Sequence, residues 1–197
     1  MLFSKIFTGL AMASAAMAAA SPQQIADSID SLTQKSTALQ GPAQSITLLN
    51  APLIVIGQGP FPQIIAGFTD IVSTAAALIS QLEGTGPIQK RSEMTHARDL
   101  SPRGPDADLV FNAFRGFVRA HQILLNILIG KAGILSKIPL IGQPVATVLR
   151  QVEGVVDTIA ITLINVVQAR SGDISADADS LGNTLDLAIQ KYESISV

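Results

Sequence analysis

The chain has 197 residues, 48% of them hydrophobic and only 14% charged, a formal net charge of −2 and no cysteine. That length suits one domain plus a leader, with enough chain to bury a sizeable core. The absence of Cys rules out disulfides, thiol chemistry and cysteine metal sites, so stability has to come from packing. Near-neutral charge with scattered basic residues leaves no electrostatic footprint for nucleic acid or an anionic membrane. With no Trp and a single Tyr, the apolar content is aliphatic, and it is high for a globular chain.

The first segment, Met1-Leu-Phe-Ser-Lys5, an apolar stretch at 6–13 and then a run of small residues, reads as a secretory signal peptide over 1–20. Cleavage is expected after Ala18 or Ala20, leaving 21–197 as a single helical domain in a secreted, extracellular protein. The apolar run is too short to span a bilayer. Each later one is interrupted by Gly, Pro or polar residues, so no transmembrane segment is expected. Lys191-Tyr-Glu-Ser-Ile-Ser-Val197 lacks the hydrophobic tail of a glycolipid-anchor signal, and no N-glycosylation sequon occurs.

Ser21-Pro22 offers a cap and a first-turn proline, and Ile25, Ile29, Leu32 and Leu39 recur at helical spacing, which starts the first helix there. Gly41-Pro42 and Ala51-Pro52 are expected to kink or break it, with Ile46, Leu49 and Leu53 carrying the stripe onward. The turn Gly57-Gln-Gly-Pro-Phe-Pro62 opens a second helix, striped by Phe61, Ile64, Ile65, Phe68, Ile71, Val72, Ala75, Ile79 and Leu82 and ending at Glu83-Gly84. Residues 84–104 gather Gly, Pro, Ser and charge and read as a flexible linker. Within it Lys90-Arg91 is a candidate proteolytic processing site.

A third helix begins near Pro105-Asp106, with Asp106 and Asp108 at the positive end of its dipole. Its stripe is Val110, Phe114, Phe117, His121, Leu124 and Leu128, with Arg115, Arg119, Gln122 and Asn126 opposite, and its end is placed at 130–133. The fourth helix, from Val145 to Val167, is apolar nearly all round and is expected at the centre. A fifth is expected from Ser175, with Asp177 and Asp179 in its first turn and Leu181, Leu185, Ala188, Ile189, Tyr192 and Ile195 on one face. The expected fold is all-α, an antiparallel bundle of about five helices. Gly67, Gly116 and the kinking prolines are expected to loosen helix contacts. Composition does not decide between a fully packed core and an internal apolar cavity.

Chemistry-bearing motifs are scarce. His121 sits on an apolar stripe and reads as a hydrogen-bonded core histidine, and His96 lies in the linker. No second His stands at a metal-ligand spacing, and Glu153 with Asp157 lack the Glu-x-x-His pattern of bundle metal sites. The Gly-x-Ser-x-Gly elbow is absent, and neither a Ser-His-Asp set nor a carboxylate pair stands out. Gly57-Gln-Gly59 and Gly130-Lys131 read as turns and not as phosphate loops. No catalytic residue, metal or cofactor is assigned, and the chain is read as non-enzymatic. The residues expected to face a hydrophobic ligand are Phe61, Ile65, Phe68, Val72, Phe114, Phe117, Leu124 and Leu128.

Three runs carry a family resemblance: 43–65, Ala-Gln-Ser-Ile-Thr-Leu-Leu-Asn-Ala-Pro-Leu-Ile-Val-Ile-Gly-Gln-Gly-Pro-Phe-Pro-Gln-Ile-Ile; 117–131, Phe-Val-Arg-Ala-His-Gln-Ile-Leu-Leu-Asn-Ile-Leu-Ile-Gly-Lys; and 149–157, Leu-Arg-Gln-Val-Glu-Gly-Val-Val-Asp. On these the chain resembles the fungal hydrophobic surface-binding protein A family, which includes cell-wall galactomannoproteins. The resemblance implies a secreted helical protein that adsorbs to hydrophobic surfaces, recruits a polyester-degrading hydrolase and, in galactomannoprotein relatives, holds fatty acids inside the bundle. Without a Ser/Thr-rich stalk or anchor signal, free secretion or loose association with the cell wall is expected. The alternative is a structural or antigenic cell-wall mannoprotein with a fully packed bundle.

Overall fold

The computed structural model describes residues 19–49, 53, 57–88, 104–135 and 141–195. Residues 1–18 of the leader, most of the linker with Lys90-Arg91 and His96, and Ala51-Pro52 lie outside them. Helix α1 (Pro22–Gln44) starts where Ser21 and Gln24 form a reciprocal cap: the Ser21 hydroxyl accepts the Gln24 N–H at 3.2 Å and the Gln24 side-chain carbonyl accepts the Ser21 N–H at 2.9 Å. Pro42 lies in its last turn, and the helix stops two residues later. Helix α2 (Pro60–Glu83) follows Gly59, whose φ of 86° and ψ of −162° are open to glycine and strained for other residues. Helix α3 (Pro105–Leu135) carries Asp106 and Asp108 in its first turn. Helix α4 (Gly142–Val166) leads through a 3₁₀ turn (Gln168–Arg170) into α5 (Ser171–Glu193).

These five helices close into a ring in which each packs against two neighbours, in the order α2, α1, α3, α5, α4 and back to α2. Contacts along the seams fix the directions. Between α1 and α2, Ser28 reaches Gln81, Lys35 pairs with Asp70, and Leu39 lies against Gly67, so the two run antiparallel. Arg150–Glu193 likewise joins the start of α4 to the end of α5. Between α1 and α3 the pairs ascend together, Ser36 with His121 and Ile46 with Lys131. Between α3 and α5 they do the same, Arg115 with Asp177, Gln122 with Thr184 and Leu128 with Tyr192. Consecutive helices therefore alternate in direction, as expected. The ring interleaves them so that α1, α3 and α5 stand side by side and parallel, and α2 and α4 do the same on the other side.

The ring corrects several expectations. No helix is central: α4 is one stave, and Ile161 on its outer side is 62% exposed. Helix α3 does not stop at 130–133 but continues to Leu135, because Ala132 and Leu135 still reach the core. The apolar stripe of α1 does not extend through Leu49 and Leu53. Ile46 is buried, but Leu49 is 93% exposed and Leu53 40%, and Leu49 lies in a turn beyond the end of α1 at Gln44. Helix α5 starts at Ser171, four residues before the expected Ser175, placing Asp173 in the first turn and freeing Asp177 to pair with Arg115. Gly67 brings helices together: a Cβ there would stand 2.3 Å from Leu39 Cδ2. A Cβ on Gly116 would meet nothing within 4 Å.

By length and composition alone α2 and α3 are long and apolar enough to cross a membrane, contrary to the reading of their interruptions. Their mid-helix charges are engaged within the ring, Asp70 with Lys35 and Arg115 with Asp177. A lipid-facing span holds such charges only at a cost of several kcal/mol.

Candidate functional site

The interior is the convergence of five inward faces, and α3 contributes its axis. Val110, Phe114, Phe117, Leu124 and Leu128 on that helix are 1% exposed or less, spaced by threes and fours so that they line one side. From α2, Phe68 is fully buried and Phe61 nearly so, while Ile65 and Val72 are half-buried and pack against the outer part of the core. Six of the eight residues expected to face a ligand therefore point into the interior, and Ile65 and Val72 stand at its edge. Each fully buried side chain of this size stabilises the fold by about 1.5–3 kcal/mol relative to exposure.

At mid-height the lining changes character. Phe114, Phe117 and His121 follow one another up α3 with ring centroids 6.5 and 5.3 Å apart, and Phe68 of α2 meets His121 edge-on at 6.0 Å and 75°. From α1, Ser36 closes on the imidazole, Oγ to Nδ1 at 2.9 Å, and the same hydroxyl lies 2.9 Å from the Leu32 carbonyl oxygen. Ser36 and His121 are both 0% exposed. A hydroxyl has one proton. If it donates to the Leu32 carbonyl, the contact with His121 needs its own proton, which Nδ1–H supplies, and both contacts are then hydrogen bonds. The opposite tautomer leaves two oxygen atoms facing each other at 2.9 Å with no proton between them. The chain Nδ1–H to Oγ–H to carbonyl thus leaves Nε2 as a bare acceptor. Among the described residues it is the buried side-chain nitrogen or oxygen without a partner. Burial lowers the His121 pKa to about 4, so the ring is neutral at pH 7.

This pair is not arranged for hydrolysis. The Ser36 proton is committed to its own helix, the imidazole faces the hydroxyl as donor, and no carboxylate among the described residues orients it. No group of three His, Cys, Asp or Glu residues among those described is placed to hold a metal ion. Ser36 was missed in the sequence, although the signal was there: Ile25, Ile29, Leu32, Ser36 and Leu39 are spaced four, three, four and three, so Ser36 occupies a core position, as His121 does on α3. Tyr192 also bonds inside, its hydroxyl donating to the Leu128 carbonyl at 3.0 Å, with burial raising its pKa.

Polar order at one end of the ring contrasts with the middle. Arg170 binds Asp108 and Asp173 at 2.6 and 2.9 Å, Arg115 binds Asp177 at 3.0 Å, and the two guanidiniums lie 4.9 and 4.4 Å from the Phe111 ring centroid. Near the other end Lys131 donates to the Ile46 carbonyl at 2.8 Å, tying the start of the loop that exposes Leu48 and Leu49 to α3. An open cleft of about 370 Å³ lined by Ala20, Gln24, Asp27, Ser28 and Gln81 lies outside the ring between α1 and α2.

No protein-family model matches the chain, and no curated protein matches it in sequence. Its fold is similar to that in the crystal structure of Afmp4p in complex with palmitic acid, with a TM-score of 0.70 at 14% sequence identity, over 87% of this chain and 99% of that one. The ring of helices is therefore a fold that a solved protein shares over nearly its whole length.

Proposed function

We propose that this protein is a secreted, non-enzymatic binder of single-chain lipids, fatty acids above all, held inside the helical ring. The observation that carries the reading is the near-complete fold similarity to Afmp4p, whose structure contains palmitic acid. The aliphatic and aromatic interior supports it. Burying a sixteen-carbon chain at about 0.8 kcal/mol per methylene yields on the order of 12 kcal/mol before ordering costs, enough for useful affinity without any charged contact. Protein purified under denaturing conditions and refolded should bind a fluorescent fatty acid with saturable, one-to-one stoichiometry. Refolded protein that takes up none refutes the reading and leaves the packed mannoprotein bundle as the better account.

A second mode is supported by a separate observation. Leu48, Leu49 and Leu53 are 58%, 93% and 40% exposed, apolar side chains suited to contact with hydrophobic surfaces. Together with the family resemblance, this supports adsorption to a hydrophobic polymer and recruitment of a polyester-degrading hydrolase there. Replacing Leu48 and Leu49 by Ser should abolish adsorption while leaving fatty-acid uptake unchanged.

A further inference from the structure

The unpartnered nitrogen of His121 gives the interior a chemical preference that an aliphatic lining alone lacks. Buried polar atoms are nearly always hydrogen-bonded, and leaving one unmatched costs about 1–3 kcal/mol. A lone water is a poor partner, since a buried water needs two to four polar contacts, and the aromatic rings packed on His121 are Phe68 and Phe117. What suits a bare lone pair in a dry apolar setting is one O–H donor whose remaining atoms are hydrocarbon. A carboxylate brings no proton and presents its own lone pairs and a charge to be desolvated.

We propose that His121 Nε2 is the head-group anchor of the interior, accepting a hydrogen bond from the O–H of a single-chain aliphatic ligand, a protonated fatty acid or a fatty alcohol. The proposal rests on the lipid-binding reading above and adds to it which head group is recognised, and by which atom. Ser36 is the positioning residue: by accepting a hydrogen bond from Nδ1–H and donating its own to the Leu32 carbonyl, it fixes the tautomer that keeps Nε2 an acceptor. The dimensions agree. From His121, α3 runs about 24 Å towards Pro105 and about 21 Å towards Leu135 at 1.5 Å per residue, and the acyl chain of one bilayer leaflet spans about 15 Å. A chain anchored at mid-height therefore stays within the ring whichever way it runs, along Phe117 and Phe114 or along Leu124 and Leu128.

The test compares hexadecanoic acid, hexadecan-1-ol and methyl hexadecanoate on refolded full-length protein by displacement of a fluorescent fatty acid, together with the ¹⁵N chemical shifts of the His121 ring. The alcohol should bind about tenfold more tightly than the ester, which has no O–H, and the acid should gain on the ester as pH is lowered from about 7 towards 5, because it must take up a proton from solvent before it can donate. His121→Leu should erase that tenfold advantage and leave ester binding unchanged, and Ser36→Ala should reduce it. The ¹⁵N measurement uses the unaltered chain, so it holds even if a variant does not fold: Nε2 should be unprotonated and should shift on binding the acid or the alcohol but not the ester. Equal binding of all three with an unmoved Nε2 resonance overturns the anchor and leaves lipid binding standing. Tight binding of the acid with alcohol no better than ester also overturns it, since a carboxylate would then be what is read. If none of the three binds, the lipid-binding reading itself falls, and the anchor with it.

Discussion

About three turns apart on α3, Phe111 and His121 stand in opposite electrostatic settings. Phe111 lies against two guanidiniums, Arg115 paired with Asp177 and Arg170 with Asp108 and Asp173, at the ring's partly exposed end. His121 lies among Phe68, Phe117 and Ser36 in the dry middle, with one ring nitrogen bonded and the other not. The same helix thus satisfies its polar groups fully where solvent helps and leaves one unmatched where solvent cannot reach. Water screens and relaxes the first cluster, so its errors are cheap; the second has no such buffer. An unmatched acceptor kept in the second setting costs stability, and the proposed head-group anchor rests on it.

The largest effect expected to sharpen this contrast is Phe117→Ala. It removes a fully buried ring beside His121 and Phe114 and should destabilise the fold by about 3–5 kcal/mol, read from the denaturant midpoint and indifferent to salt. Next comes the acid response. His121 titrates near 4 when folded and near 6.5 when unfolded, so between those values the unfolded chain holds a proton that the folded chain refuses. Burial is the cause, and Lys35 and Asp70 on the flanking helices pair with each other. Stability should therefore be intact above pH 6.5 and fall as pH drops to 4, by about 3 kcal/mol in all. His121→Leu should flatten that stretch of a pH series of thermal melts while costing little at pH 7, because Ser36 keeps its bond to Leu32.

Smaller again is Arg170→Ala at the ring's end. It should lower Tm by a few degrees at most, and high salt should shrink the loss, since these pairs are partly exposed. A salt-sensitive Phe117→Ala or a salt-insensitive Arg170→Ala would break the comparison. The smallest effect separates two glycines. Gly116→Ala, with nothing near its new methyl, should stabilise by about 0.5–1 kcal/mol through helix propensity. Gly67→Ala should lose stability, because Leu39 has to move from a packed seam.

Much of the fold was legible locally. Ser21-Pro22, Gly59-Pro60 and Pro105 mark helix starts because caps and prolines act within a turn, and the spacing of Phe114, Phe117, Leu124 and Leu128 reads directly as a buried face. What escaped depends on partners far along the chain. An all-round apolar α4 suggests a centre only until the ring supplies neighbours on both sides of it. Leu49 matches the α1 stripe by spacing, but that spacing has no meaning once α1 has ended. Of the candidate site, the apolar lining was visible on each helix. The Ser36–His121 contact joins positions 85 residues apart, and only the parallel seam of α1 with α3 brings them together.

Native mass spectrometry of the protein purified in its folded form tests the central claim most directly, because it weighs the folded chain with whatever it retains. The account predicts a population heavier by one single-chain lipid carrying an O–H group, lost when the protein is unfolded and regained when hexadecanoic acid is supplied to the refolded chain. A folded protein of bare mass that acquires no lipid under those conditions would contradict it.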